Sequence, residues 1–248
     1  MTGVAGVADD QSQAGGAVDY RAIYNHHAAE YDRLVSREDH QGNLLRALHG
    51  IRPLDGLSVV EMGAGTGRLT RLLAPRVARI LACDIAPHML GVARARLRAD
   101  GLRNWRVAAA DNRRLPVAGG VADLAVAGWS FGHATGWTRG SWRSEIGRAL
   151  AEMLRVLRPG GTAVILETLG TGRETPQPPT DALAAYYAWL EREHGFRSLW
   201  IRTDYRFASV AEAEALTGFF FGAELARRVA REGLTRVPEC TGVWWRAA

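Results

Sequence analysis

Lysine is missing altogether: each of the 31 basic residues in this 248-residue chain is an arginine. That usage reads as codon bias from a GC-rich genome. With 26 acids against them the formal net charge is +5, which raises the question of a nucleic-acid partner. The arginines, however, are scattered among acids, as in RSEIGRALAEMLR (143–155) and AELARRVARE (223–232). This is the pattern of solvated helix faces and not of a phosphate-binding stripe, so no nucleic acid is expected. Cysteine is scarce as well. Cys83 and Cys240 lie far apart with no CxxC and no histidine pairing, which excludes a disulfide framework and a zinc cage. Both read as small buried hydrophobes, and no metal is expected. Long apolar runs are lacking too: stretches such as 57–60 and 162–166 fall far short of the roughly 20 residues that a spanning helix requires. The opening MTGVAGVADDQSQAGGAVD has acids where a secretory signal has its basic region, and no apolar stretch. Residues 1–18 therefore read as a disordered leader on a cytoplasmic protein with no membrane partner.

Hydrophobic residues make up 47% of the chain, ample for a buried core at this length. No internal repeat and no break in composition calls for a second domain, so residues 19–248 are expected to form one. DYRAIYNHHAAEYDRLV and GNLLRALHGI read as two helices. LSVVEM (57–62) is a short continuous apolar strand, and GRLTRLLAP carries Leu69, Leu72 and Leu73 at helical spacing until Pro75 stops it. RVARILACD, NWRVAAAD, VADLAVAGW and TAVILE are further strands. APHMLGVARARLRADG is a helix between the first two, with Gly101 a plausible end cap, and 141–157 a helix before the last. This alternation predicts an α/β fold, a doubly wound, mostly parallel sheet with helices on both faces and right-handed crossovers. Beyond residue 168 the character changes. GTGRETPQPPT is a loop, DALAAYYAWLEREHG a helix and RSLWIRTDYRF a strand. Ser209 and Glu212 form a capping box ahead of a long helix that Gly218 and Gly222 are placed to divide, and TRVPECTGVWWRA closes as an alternating strand.

The segment VVEMGAGTGRLT (59–70) joins the first strand to the next helix through Gly63, Gly65 and Gly67. In an open parallel sheet a ligand sits at such a bend. A triphosphate site needs a Lys-Ser/Thr pair after the glycines, which is absent. A dinucleotide site ideally reads GxGxxG, whereas Arg68 occupies the slot after Gly67 here, and Glu61 would repel a pyrophosphate. An acid there suits a cationic ligand end. Asp84, at the tip of the second strand, can accept hydrogen bonds from both hydroxyls of a ribose, and Asp111, at the tip of the third, offers a carboxylate to an exocyclic amine. Three acids on three consecutive strand tips predict an anionic crescent for a positively charged, phosphate-free nucleoside such as S-adenosylmethionine.

Taken together, Glu61-Met-Gly-Ala-Gly-Thr-Gly67, Asp84-Ile-Ala-Pro-His-Met-Leu90, Ala110-Asp111-Asn112 with Leu115-Pro116, and LRPGG before the fifth strand resemble the class I S-adenosylmethionine-dependent methyltransferases. The closest flavour is the small-molecule branch of ubiquinone and menaquinone biosynthesis, over roughly residues 20–168. The resemblance implies a Rossmann-like sheet ending in an antiparallel pair and a cofactor laid across its strand tips. Glu61, Gly63 and Gly65 would approach the amino-acid end, Asp84 the ribose, Ile85 and Met89 the adenine, and Asp111 its amino group, with Asn112 and Trp129 beside them. A tyrosine from an N-terminal helix, Tyr24 or Tyr31, would cover the methionine end, which makes 19–56 a helical cap. The stretch AGWSFGHATGW after strand four falls where this family builds its methyl-transfer mouth. His133 is the preferred base or orienting residue and Glu167, at the tip of strand five, a second catalytic candidate. His27, Trp137, Tyr186 and Tyr187 are expected to line a pocket for a flat or apolar acceptor, with 169–205 as a lid. The expected activity is direct methyl transfer to a small, aromatic or apolar molecule of secondary metabolism, by a monomer or homodimer. The alternatives are an NAD(P)-dependent oxidoreductase, an RNA or protein methyltransferase, and a non-catalytic S-adenosylmethionine-binding protein.

Overall fold

The computed structural model describes residues 18–138 and 140–248; the expected leader, up to residue 17, lies outside them. Helices α1 (Tyr20–His26), α2 (Ala28–Val35) and α3 (Asn43–Ile51) precede the sheet. The first strand-turn-helix is β1 (Ser58–Met62) and α4 (Arg68–Leu73), which ends just before Pro75 as a ring without an N–H dictates. Then come β2 (Arg79–Asp84), α5 (Pro87–Ala99), β3 (Trp105–Ala109) and β4 (Ala122–Gly128). Proline sits in the first turn of α5, where its missing N–H costs no bond, and Gly101 follows the helix in the left-handed region at φ 71°. Next are the short α6 (His133–Trp137), α7 (Trp142–Val156), the long β5 (Leu157–Thr171) and α8 (Asp181–Arg192). The chain closes with β6 (Arg197–Arg202), β7 (Tyr205–Arg206), α9 (Val210–Phe221), α10 (Ala223–Glu232), β8 (Arg236–Val237) and β9 (Glu239–Ala247).

Seven strands form one sheet in the order β3-β2-β1-β4-β5-β9-β6. The first five are parallel, and β9 inserts antiparallel between β5 and β6. Side-chain alternation along the strands sorts the core into two layers. Val60, Met62, Ala125, Ala127 and Ile165 face α7 and α8, while Val59, Leu124, Val126, Leu166 and Val243 face α3 and α4. A third cluster, around Leu34, Tyr205, Phe207, Leu216 and Val229, ties α2 to α9, α10 and the two-stranded β7–β8 ribbon.

Ser209 accepts from the Glu212 N–H at 3.1 Å and Glu212 accepts from the Ala208 N–H at 2.7 Å, which fixes the start of α9. Of the two glycines expected to divide the following helix, Gly222 does so, at φ 92°, and Gly218 stays inside α9. Within the stretch 169–205 expected as a lid, the regular elements belong to the body of the fold. Helix α8 packs under the sheet with Tyr186, Trp189 and Leu190 in the first core layer, and β6 is the sheet's edge. Burying those three side chains against α7 leaves α8 no freedom to cover a site elsewhere. No helix of the described residues is long and apolar enough to cross a membrane.

Candidate functional site

The chain reverses its winding at β1, with β2 and β3 to one side and β4 and β5 to the other, so the carboxyl ends of β1 and β4 diverge and open a crevice. A cavity of about 470 Å³ lies there, floored by the turns after β1, β2, β3 and β4 and walled by α1, α2, α6 and the start of α7. The turn after β1 stays fastened to β2, since the N–H groups of Gly63 and Ala64 both donate to the Cys83 carbonyl at 2.8 and 2.9 Å. Gly63 is at φ 76°, and a Cβ on it would stand 2.0 Å from the Ser130 hydroxyl oxygen, so no other residue fits. This is where the β1 and β4 turns touch.

Asp84 terminates β2 with its carboxylate held by two backbone donors, Gly65 N–H on Oδ2 and Ala86 N–H on Oδ1, each at 2.8 Å. Burial raises its pKa and those two bonds lower it. Each oxygen keeps a lone pair for a ligand. Glu61 is nearly fully buried on β1; the Thr70 hydroxyl donates to its Oε2 at 2.5 Å. Burial pushes this carboxyl up to about 8 against that bond. Asp111 is different: bonded by the Arg113 side chain and N–H, it is held below the usual carboxylate range, and Arg113 also pairs with Glu145. The expected anionic crescent is therefore tempered. One acid keeps its proton near neutral pH, one is neutralised by a guanidinium, and Asp84 alone presents an oriented, unpaired carboxylate.

The opposite end is aromatic. The Tyr24 hydroxyl lies 3.0 Å from Nε2 of His133. Burial pushes the His133 pKa down to about 4, against a backbone hydrogen bond at Trp129 that favours the charged ring. Trp137 stacks on His133 at 4.8 Å and 10°, and Tyr31 meets Tyr24 edge-on at 5.4 Å. Phe220 of α9 backs Tyr31 at 5.4 Å.

Every residue expected at the cofactor lines this one cavity, as do His133 and Trp137. Ile85 is 71% exposed on its floor while Met89 is buried beside it. Four expected site residues lie elsewhere. Tyr186 and Tyr187 are in the core, Tyr187 donating to the Thr168 carbonyl and stacked on Trp244. Their helix amphipathicity, read as a pocket wall, is a core stripe. His27 ends α1 turned outward toward Phe219. Glu167 is buried behind the cavity, where Oε1 accepts from the Gly132 N–H at 2.8 Å. It fixes the start of α6 and touches no ligand space. Missed from the sequence were Arg21 and Arg68. The Arg68 guanidinium lies 4.1 Å over the Trp129 ring and pairs with Glu38 at 2.6 Å. Its position just after Gly67 was the available signal.

A scan against family models matches residues 59–161 to a methyltransferase domain. The match runs from β1 to the start of β5. The chain is 28% identical over 151 residues to a malonyl-[acyl-carrier protein] O-methyltransferase of Serratia marcescens, covering 61% of this chain and 52% of that protein. It is 32% identical over 131 residues to a demethylmenaquinone methyltransferase of Thermus thermophilus, covering 52% of each. The chain thus spans about half the length of these two relatives. A crystal structure of an S-adenosylmethionine-dependent methyltransferase from Aquifex aeolicus aligns over 92% of this chain and 93% of that one, with a TM-score of 0.53 and 15% identity, a likeness of fold.

S-adenosylmethionine is the cofactor that such a methyltransferase domain takes, and the residues present fit it. Among the buried polar atoms without a hydrogen-bond partner among the described residues are Asn112 Oδ1, Thr66 Oγ1 and Arg68 Nη2, all on residues lining the cavity. An unused acceptor, an unused hydroxyl and an unused guanidinium nitrogen around one glycine turn are the complement of an amino acid's ammonium and carboxylate.

Proposed function

We propose that this protein is a methyltransferase that uses S-adenosylmethionine to methylate a small, aromatic or apolar molecule, in keeping with a role in secondary metabolism. The cofactor supplies an electrophilic methyl group on a sulfonium. In this reading Asp84 accepts from the ribose hydroxyls, Ile85 and Met89 hold the adenine between them, Asp111 receives its polar edge, and Asn112 offers its free acceptor to the amino-acid end. The glycine turn, Glu61 and Arg68 take the amino-acid end under Tyr31. The single observation that carries the reading is Asp84: a carboxylate aimed by two backbone N–H groups across a turn where only glycine fits.

In-line transfer owes most of its acceleration to alignment, so the chain need provide no covalent group. Tyr24 and His133 form the wall facing the acceptor. A neutral imidazole whose Nε2 is already bonded to a phenol is a poor proton acceptor at neutral pH. His133 therefore orients a hydroxyl in the acceptor, and takes its proton only where that hydroxyl displaces Tyr24. The aromatic surfaces of Tyr24, Trp137 and Phe131 suit a flat acceptor and exclude water.

Incubation of the protein with methyl-labelled S-adenosylmethionine, a panel of aromatic acceptors, bulk tRNA and a mixed protein extract tests this reading. Label appearing in a small aromatic product is expected. Label confined to RNA or protein, with none in any small molecule, would contradict it.

A further inference from the structure

Three guanidinium groups among the described residues line the cavity, and they differ in their partners. Arg113 is paired with Asp111 and Glu145, and Arg68 with Glu38. Arg21 has no carboxylate within ion-pair reach among the described residues. Instead it lies over the Trp137 ring, 5.0 Å from its centroid, and Trp137 is stacked in turn on His133. A guanidinium laid on an aromatic face keeps its N–H edge free, and that planar edge matches a carboxylate through two parallel bonds.

The placement follows from helix geometry. Arg21 and Tyr24 are three residues apart on α1, and His133 and Trp137 four apart on α6, so each pair shares one helix face. The two faces meet through two rungs, Arg21 on Trp137 and Tyr24 on His133. The second rung closes on itself, phenol to imidazole. The first ends in a cation without a counterion among the described residues. This lies at the aromatic end of the cavity, while Asp84, Ile85 and Met89 line the end assigned to the nucleoside.

Resting on the methyltransferase reading, we propose that the acceptor is an aromatic acid: its ring lies against Tyr24 and Trp137, and its anionic group is held by the unpaired Arg21 guanidinium. The anion is a spectator that sets the ring's orientation, so the methylated atom is a different substituent of the same ring. Neutral aromatics of the same shape lack the partner that Arg21 requires and bind more weakly.

The protein loaded with S-adenosylhomocysteine is titrated, by saturation-transfer NMR and calorimetry, with hydroxylated benzoates and naphthoates and with their matching carboxamides. Wild type is expected to prefer the acids about tenfold, as loss of one charge-assisted pair implies. Arg21→Gln and Trp137→Leu are expected to lose that preference, the second by removing the platform, with S-adenosylhomocysteine affinity unchanged in both. Equal binding of acids and amides by wild type overturns the proposal. So does a fall in S-adenosylhomocysteine affinity in Arg21→Gln with acid preference intact, which would assign the guanidinium to the nucleoside's own carboxylate. Failure of wild type to bind S-adenosylhomocysteine at all overturns the methyltransferase reading itself, and the proposal with it.

Discussion

At the sheet end of the cavity the ligand surface is built from strand tips and backbone: Gly63, Gly65 and Asp84 sit within three residues of β1 and β2, and backbone N–H groups aim the one free carboxylate. At the aromatic end it is built from side chains of α1, α2 and α6, backed by α9, which are far apart in the chain and meet only through tertiary packing. The first kind of surface leaves a local signature and tolerates almost no change. The second is assembled by packing, leaves no short motif, and is where one fold can take different acceptors.

The sharpest way to break this contrast is at Gly63. Gly63→Ala forces a Cβ into the Ser130 hydroxyl from a left-handed backbone, at a cost of about 3 kcal/mol or more. Denaturant unfolding should show that loss together with loss of S-adenosylhomocysteine binding. Wild-type stability would mean the two turns do not meet. Next is Glu167, which holds the aromatic end from behind. Glu167→Leu strands the Gly132 N–H in the core and should cost about 2–3 kcal/mol, whereas Glu167→Gln keeps the acceptor and should cost far less. Equal costs would show that the bond to α6 is unimportant.

A pH series sharpens the comparison from the sheet end. Glu61 carries its proton below about 8 and releases it above, so a ligand bearing an ammonium group is disfavoured on the acid side. Affinity for S-adenosylhomocysteine is predicted to rise up to about tenfold between pH 7 and 8.5, and Glu61→Gln to flatten the rise. A flat wild-type profile would place the ammonium away from Glu61. The same buried proton, with that on Glu167, also raised to about 8, is held by the folded chain where the unfolded chain has released it. Stability from these groups is therefore full below about 4.5 and declines as pH rises toward 8. The smallest effect belongs to Tyr186, whose buried hydroxyl has no partner among the described residues. Tyr186→Phe should leave acceptor binding untouched and stability unchanged or higher by up to about 1 kcal/mol. Weaker acceptor binding would return Tyr186 to the site.

The sheet end was legible because its determinants are local. Continuous apolar strands, a glycine turn and acids at strand tips are each fixed by period and by steric demand within a few residues of their own strand. The antiparallel closure was anticipated, but not that β9 would insert between β5 and β6, since strand order is set by packing of the whole sheet. The aromatic end was legible only in pieces. Tyr24, His133 and Trp137 line the cavity, yet Tyr186 and Tyr187 share their composition and lie in the core. A helix stripe looks alike whether it faces a pocket or a sheet. Glu167, read as a reacting acid at a strand tip, points under the loop instead, which only the fold of 128–132 decides. Arg21 carried no signal because its meaning depends on a tryptophan more than a hundred residues away.

The most direct test of the central claim is calorimetric titration with S-adenosylhomocysteine, and in parallel with NADH and NADPH, of wild type and Asp84→Ala. Micromolar binding of the nucleoside alone, weakened in the variant by about 1.5–3 kcal/mol, is the predicted result. Binding of a nicotinamide nucleotide in its place, or S-adenosylhomocysteine affinity indifferent to Asp84, would contradict it.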